Sequence, residues 1–163
     1  MKPYFQDDAI WRKSKEAILG WIGTPHRHRW HKKGRGADCA LFVAEVLVEL
    51  GALSELALPE YPPDWFMHSA QEIIKDAFAK HSSSFVSPGF HLVLLDEKEE
   101  SLLRGDLLGF RGVSSRVETS HVGIYLPEEK AFIHCLKPSG VSLMNWDESW
   151  RSKLTLLYRV MVD

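Results

Sequence analysis

The sequence predicts an α+β domain in which helices come first and an antiparallel sheet comes last. Three observations carry this. Up to about Lys80 the apolar residues recur at near-helical spacing; from about His91 they fall into short runs of strand character; and no internal repeat, low-complexity tract or linker interrupts the 163 residues. At that length, with 45% hydrophobic and 26% charged residues, residues 1–163 build one domain around one buried core.

The first helix is expected from Asp7 or Asp8, either of which can cap it, to about Trp21, where Gly23-Thr24-Pro25 ends it. Ile10, Ala17, Ile18 and Trp21 form its apolar stripe. A second helix begins at Asp38 or Cys39 and runs through Ala40-Leu41-Phe42-Val43-Ala44 to about Leu50, with Gly51 as terminator. Asp64 is placed to cap a third, reaching Lys80, with Phe66, Ala70, Ile73, Ile74, Ala77 and Phe78 on its packing face. Strands follow at His91 to Leu95, Asp106 to Phe110, His121 to Leu126, Ala131 to Leu136, Val141 to Met144, and Leu154 to Val162.

The third and fourth of these strands read as a hairpin closed by the turn Pro127 to Lys130. Four residues are an even number, so side-chain alternation puts His121 and His134 on the same face, one register step apart diagonally.

Net charge is −2, so no global field draws the chain to nucleic acid or to an anionic membrane. Met1 to Asp8 lacks the apolar core of a signal peptide, and no stretch approaches the roughly 20 apolar residues of a spanning helix. The expectation is a soluble protein, not exported by the usual signal, that is cytoplasmic or carried by another machine.

Chemistry concentrates at Cys39. A thiol at a helix start faces unpaired N–H groups and the positive end of the helix dipole, which favour thiolate. A core thiol is the plainer reading of Cys39 alone. His121 and His134 change the balance, because a cysteine nucleophile needs an imidazole to take its proton and return one to the leaving amine, and a third polar group to hold that imidazole in the useful tautomer. His134 would accept a hydrogen bond from one ring nitrogen of His121, and the Cys39 N–H would donate to the oxyanion. Glu118 is the alternative orienter. Cys135, alternating away from His134, is expected to be a small buried hydrophobe facing away from the site.

These motifs occur in a recognisable order: Gly23-Thr24-Pro25-His26, Asp38-Cys39-Ala40-Leu41-Phe42, Arg104-Gly105-Asp106-Leu107-Leu108-Gly109-Phe110, Ser120-His121-Val122-Gly123-Ile124-Tyr125, Phe132-Ile133-His134, Gly140-Val141 and Leu157-Tyr158-Arg159-Val160. From Trp21 onward the chain resembles the NlpC-type cell-wall peptidases, thiol hydrolases of papain-like fold that cut peptide bonds in peptidoglycan, typically next to D-glutamate or a diamino acid. The resemblance implies a catalytic Cys39, His121 and His134 acting through an acyl-enzyme, substrate contacts at His26, Asp38 and Ser120, and no cofactor. Tyr61-Pro62-Pro63-Asp64-Trp65 looks like the branch carried in phage tail modules, which implies a virion-associated setting with tail proteins as partners. Two positions depart from the family pattern: Ala40 stands where many members have serine, and His26 where tyrosine is common. Both fall on substrate contacts. The order of Cys before His separates the chain from the circularly permuted relatives that act on lipids.

Other classes remain as alternatives: a tail assembly component with this fold and little turnover, and an amidase or acyltransferase acting on a non-wall substrate. His26-Arg27-His28-Arg29-Trp30-His31-Lys32-Lys33 has the histidines of a metal site and the cations of a nucleic-acid contact, but no acid near enough to complete the former. It reads as a loop at the cleft mouth, with no metal. His68 is expected on a helix surface, and His81 near a helix C-terminus where the dipole favours a cation. His91 is assigned no role. Trp65 and Trp146 read as packing residues before they read as sugar or peptide platforms.

Overall fold

The computed structural model describes residues 1–57 and 59–163. In chain order they form β1 (Lys2–Pro3), a 3-10 turn (Tyr4–Gln6), α1 (Asp8–Leu19), β2 (His31–Lys32), β3 (Gly36–Ala37), α2 (Cys39–Glu49), α3 (Trp65–His68), α4 (Ile73–Ser84), β4 (Phe90–Leu95), β5 (Leu107–Phe110), β6 (His121–Leu126), β7 (Ala131–Leu136), β8 (Gly140–Asn145), α5 (Glu148–Arg151) and β9 (Leu154–Val162). Helices precede the main strands, and the sheet is antiparallel throughout. This is the α+β architecture expected from the sequence.

Among the described residues, seven strands make the main sheet, in the order β1, β9, β5, β6, β7, β8, with β4 on the other side of β9. Strand β9 is the hub. It pairs with β4 over Leu157–Val162 along one edge, and along the other with β5 near its start and β1 at its end.

Helix α1 starts where Asp7 accepts hydrogen bonds from the N–H groups of Ala9 and Ile10, both at 2.9 Å. Trp11 and Ile18 are its buried residues of apolar type, one on each of two turns of the same stripe. Helix α2 is apolar nearly all round and correspondingly deep, with Leu41, Phe42, Val43, Val46 and Leu47 buried. It packs on β6 and β7. The larger core lies on this face and joins α1 and α2 to Val122, Ile124 and Ile133. A smaller cluster, Leu108, Phe110, Phe132 and Leu157, is backed by Trp146 and Trp150.

The single helix expected from Asp64 to Lys80 is two. Asp64 sits in the left-handed region with φ 53° and its side chain caps nothing. After α3 the chain extends at Ser69, whose hydroxyl accepts from the Gln71 N–H at 3.1 Å. Glu72 then turns its carboxylate outward to take the N–H of Glu118 at 2.6 Å and of Thr119 at 3.4 Å. A tertiary bond to the loop before β6 has replaced the helical continuation, which apolar periodicity cannot report.

The Arg104-Gly105-Asp106 motif is scaffold. Asp106, buried before β5, receives Arg159 in a two-pronged pair at 2.8 and 2.9 Å, while Arg104 bonds the backbone oxygens of Phe5 and Gln6. Burial pushes the Asp106 carboxyl up despite that pairing. No helix among the described residues is long and apolar enough to cross a membrane.

Candidate active site

Three elements converge on one cavity: the start of α2, the start of β6 and the His26 loop. Cys39, Asp38, His26, Ser120 and His121 all line it. His134 stands behind His121, 1% exposed.

The hairpin delivers the histidines. Leu126 pairs with Ala131 across the turn Pro127–Lys130, so Gly123 pairs with His134 and His121 lies two residues further along the same face. The diagonal relation expected from the even loop is the one observed. Nε2 of His121 and Nδ1 of His134 are 2.8 Å apart, with ring planes at 75°. That bond leaves His121 only Nδ1 for any further partner. Trp150 of α5 covers the pair, its ring 6.0 Å from His121 and 5.8 Å from His134, with Phe110 and Phe132 alongside. In this apolar surround both imidazoles are held neutral. Burial pushes His121 down to about 3, helped by the neighbouring His134 and His26, and burial alone pushes His134 down to about 4.

The thiol is half-buried at the N-terminus of α2. The backbone N–H groups of Val122, next in chain to His121, and of Ala40 lie on the side of its sulfur and favour thiolate. Their effect is outweighed. Burial and the charge of Asp38 push the thiol up, so the sulfur keeps its proton in the resting site, against the expectation from helix position alone.

Asp38 does more than precede the cysteine. Oδ1 caps α2 through the Leu41 N–H at 2.9 Å, and Oδ2 accepts from the Arg29 N–H at 3.1 Å and from the Tyr61 hydroxyl at 2.5 Å. The carboxylate is 6% exposed and has donors on both oxygens. Ser120 accepts from the Gly112 N–H at 2.8 Å and is 7% exposed. His26 is half-buried, and burial with the nearby Lys137 pushes its imidazole down.

Cys135 departs from expectation. It alternates away from His134, but that is the face on which α2 packs, so it lines the same cavity as Cys39. Its Sγ donates to the Ala37 carbonyl at 3.1 Å, burial pushes it up to about 12, and both cysteines are free. Glu118 is turned away, exposed and paired with Lys75 of α4. His81 lies in the last turn of α4, as expected, and is buried there, with Nδ1 donating to the Ala77 carbonyl at 2.7 Å and Nε2 accepting from the Ala57 N–H at 3.0 Å. The loop histidines disperse: His28 bonds the Tyr61 carbonyl and His31 bonds Glu45. Among the described residues, no group of three His, Cys, Asp or Glu side chains is placed to hold a metal. Tyr61, Trp150 and Glu72 are site-building residues that sequence reasoning missed.

A helix-start cysteine and a paired histidine on an antiparallel sheet define the class of papain-like thiol hydrolases. The chain belongs to the NlpC/P60 family, whose model matches residues 23–160; members are generally cysteine peptidases and amidases, with cell-wall hydrolysis a common activity. Among solved structures it is similar to a Staphylococcus aureus protein described as similar to lipoprotein, NLP/P60 family, at 20% identity and a TM-score of 0.54. That match covers 99% of this chain and 44% of the other. At such identity the likeness shows the fold. Among curated proteins none matches.

Proposed function

We propose that this chain is a cysteine peptidase that cleaves an amide bond in peptidoglycan stem peptides. The observation that carries the reading is the 2.8 Å bond between His121 and His134 immediately behind a cavity that Cys39 enters at the start of α2. In the productive tautomer Nε2–H of His121 donates to Nδ1 of His134, and Nδ1 of His121 is the basic nitrogen.

From there the chemistry balances. The sulfur attacks the amide carbonyl as His121 takes the thiol proton, which suits a site where thiol and imidazole both rest neutral. The Cys39 N–H and the His26 ring hold the oxyanion. The tetrahedral intermediate expels the amine, which leaves with the proton from His121, and the acyl group stays on sulfur as a thioester. Water, deprotonated by His121, then attacks the thioester; the C–S bond breaks, the acid is released and the sulfur recovers its proton from His121. Asp38, Ser120 and His26 line the approach and contact the substrate. Tail proteins are the proposed partners, in a cytoplasmic or virion-associated setting.

The test is mass spectrometry of tripeptide and tetrapeptide stems, with and without the sugar, after incubation with wild type and Cys39→Ala. Cleavage by wild type alone establishes the hydrolase and identifies the bond. A second reading, a tail component with little turnover, draws on the departures at Ala40 and His26; cleavage by neither protein would favour it.

A further inference from the structure

The cavity beside Cys39 is larger and drier than peptide cleavage at its mouth requires. With its catalytic mouth included it measures about 500 Å³, within the range of pockets that take whole small ligands. From the thiol it extends between α2 and α4, where Val43, Leu47, Leu53, Ile74, Ala77 and Leu92 supply a hydrocarbon wall. His81, on the α4 side, has both ring nitrogens committed to backbone groups. Asp38, at the thiol end, has a donor on each carboxylate oxygen.

Whatever enters the inner part between α2 and α4 must therefore bring no polar groups there, because an amide or hydroxyl would be desolvated on this wall without a partner. That excludes a peptide backbone from the inner part. A single leucine-sized side chain would leave most of the space empty, and unfilled apolar volume is destabilising in proportion to its size. A linear hydrocarbon chain meets both conditions. At roughly 30 Å³ per methylene-sized group, comparable to a water molecule's share of the liquid, the whole cavity would hold about sixteen such groups, and the part beyond the catalytic mouth correspondingly fewer.

We propose that this cavity is an acyl-chain subsite, and that the chain hydrolyses esters of linear fatty acids of roughly eight to twelve carbons. The carbonyl lies at Cys39 and the hydrocarbon tail lies between α2 and α4. The proposal rests on the reading of Cys39 as nucleophile but departs from wall peptides as the sole substrate class. The sulfur bonds the acyl carbon, the C–O bond to the alcohol breaks, and the alcohol leaves with the proton that His121 took from the thiol. Water, deprotonated by His121, then attacks the thioester, the C–S bond breaks to give the free fatty acid, and the sulfur takes its proton back from His121.

The test is hydrolysis of p-nitrophenyl esters from acetate to dodecanoate by wild type, Cys39→Ala and Ala77→Phe, the last intruding on the α4 wall. The expected result is hydrolysis that requires Cys39, with kcat/KM rising roughly two- to fourfold per methylene over the middle of the series and the rise ending at a shorter chain in Ala77→Phe. Cys39-dependent hydrolysis that is flat or falls with chain length overturns the subsite and leaves the thiol hydrolase standing. Absence of Cys39-dependent hydrolysis of every ester sinks the nucleophile reading and the esterase with it. A tryptophan-fluorescence titration with dodecanoate then decides the cavity alone: saturable binding weakened in Ala77→Phe supports a chain site, and no binding overturns it.

Discussion

The hydroxyl of Tyr61 closes on Oδ2 of Asp38 at 2.5 Å, across twenty-two intervening residues, and so ties the loop before α3 to the residue that caps the nucleophile helix. The same carboxylate oxygen receives the Arg29 N–H from the His26 loop. One carboxylate thus fixes two loops and one helix start. Tyr61→Phe is expected to cost about 1.5–3 kcal/mol, the range for a hydrogen bond to a charged group. Urea unfolding of Tyr61→Phe, Asp38→Ala and the double variant checks this: the double variant should be less destabilised than the sum of the two, and strict additivity would mean the bond contributes nothing.

His134 acts through His121 rather than on substrate. His134→Ala should lower kcat by roughly one to two orders of magnitude while leaving KM nearly unchanged, because it frees the base to rotate. His134→Gln, which keeps an acceptor near Nε2 of His121, should recover part of the loss. An equal fall in both variants, or a change confined to KM, would assign His134 a packing role only.

Stability should fall in acid over a defined window. His121 and His134 sit near 3 and 4 in the folded protein, against an ordinary value of 6.5, so below about pH 6.5 the unfolded chain takes up protons that the folded chain refuses. Their contribution is complete above that pH and is lost progressively as pH drops toward 4. Urea midpoints measured from pH 8 to pH 4 should trace this decline, and His134→Gln should make it shallower.

Burial first, and then the Asp38 charge, keeps the thiol protonated. Iodoacetamide should therefore modify Cys39 slowly at neutral pH, at a rate still rising above pH 9, and Asp38→Asn should move that rise to lower pH. A rate plateau between pH 5 and 8 would indicate a preformed thiolate–imidazolium pair instead.

Gly140 opens β8 at φ +71°, and a Cβ there would strike the carbonyl oxygen of Thr24. Gly140→Ala combines a left-handed backbone with a clash against main chain, so a loss of more than about 2 kcal/mol is expected. Calorimetry would read it as a lowered Tm.

What was legible in the sequence followed local rules. The Asp7 and Asp38 caps, the α2 run and the β6–β7 hairpin are each set by residues within a few positions of one another, and the diagonal placement of His121 and His134 follows from the parity of a four-residue turn. What stayed hidden depends on partners distant in sequence. Glu72 leaves helical periodicity to bond Glu118 and Thr119, and the indole of Trp150 reaches the histidines from α5, the short helix between β8 and β9. The protonation of Cys39 failed for a related reason: helix position is local, whereas desolvation comes from the whole surround. Cys135 shows the limit of alternation, which fixes the strand face but not which layer covers it.

The pairing of β9 has a consequence for biosynthesis. Strands β1, β4 and β5 are all made before it, yet each has β9 as a neighbour. While the ribosome is still reading codon 150, their edges are exposed and the sheet has a gap where β9 belongs. Helix α2 can already pack on the β6–β7 hairpin, but β1 and β4 have no place in the sheet until Leu154–Val162 emerges. A chaperone or a protease meeting the chain in that interval would find the nucleophile already synthesised and the sheet beneath it still incomplete.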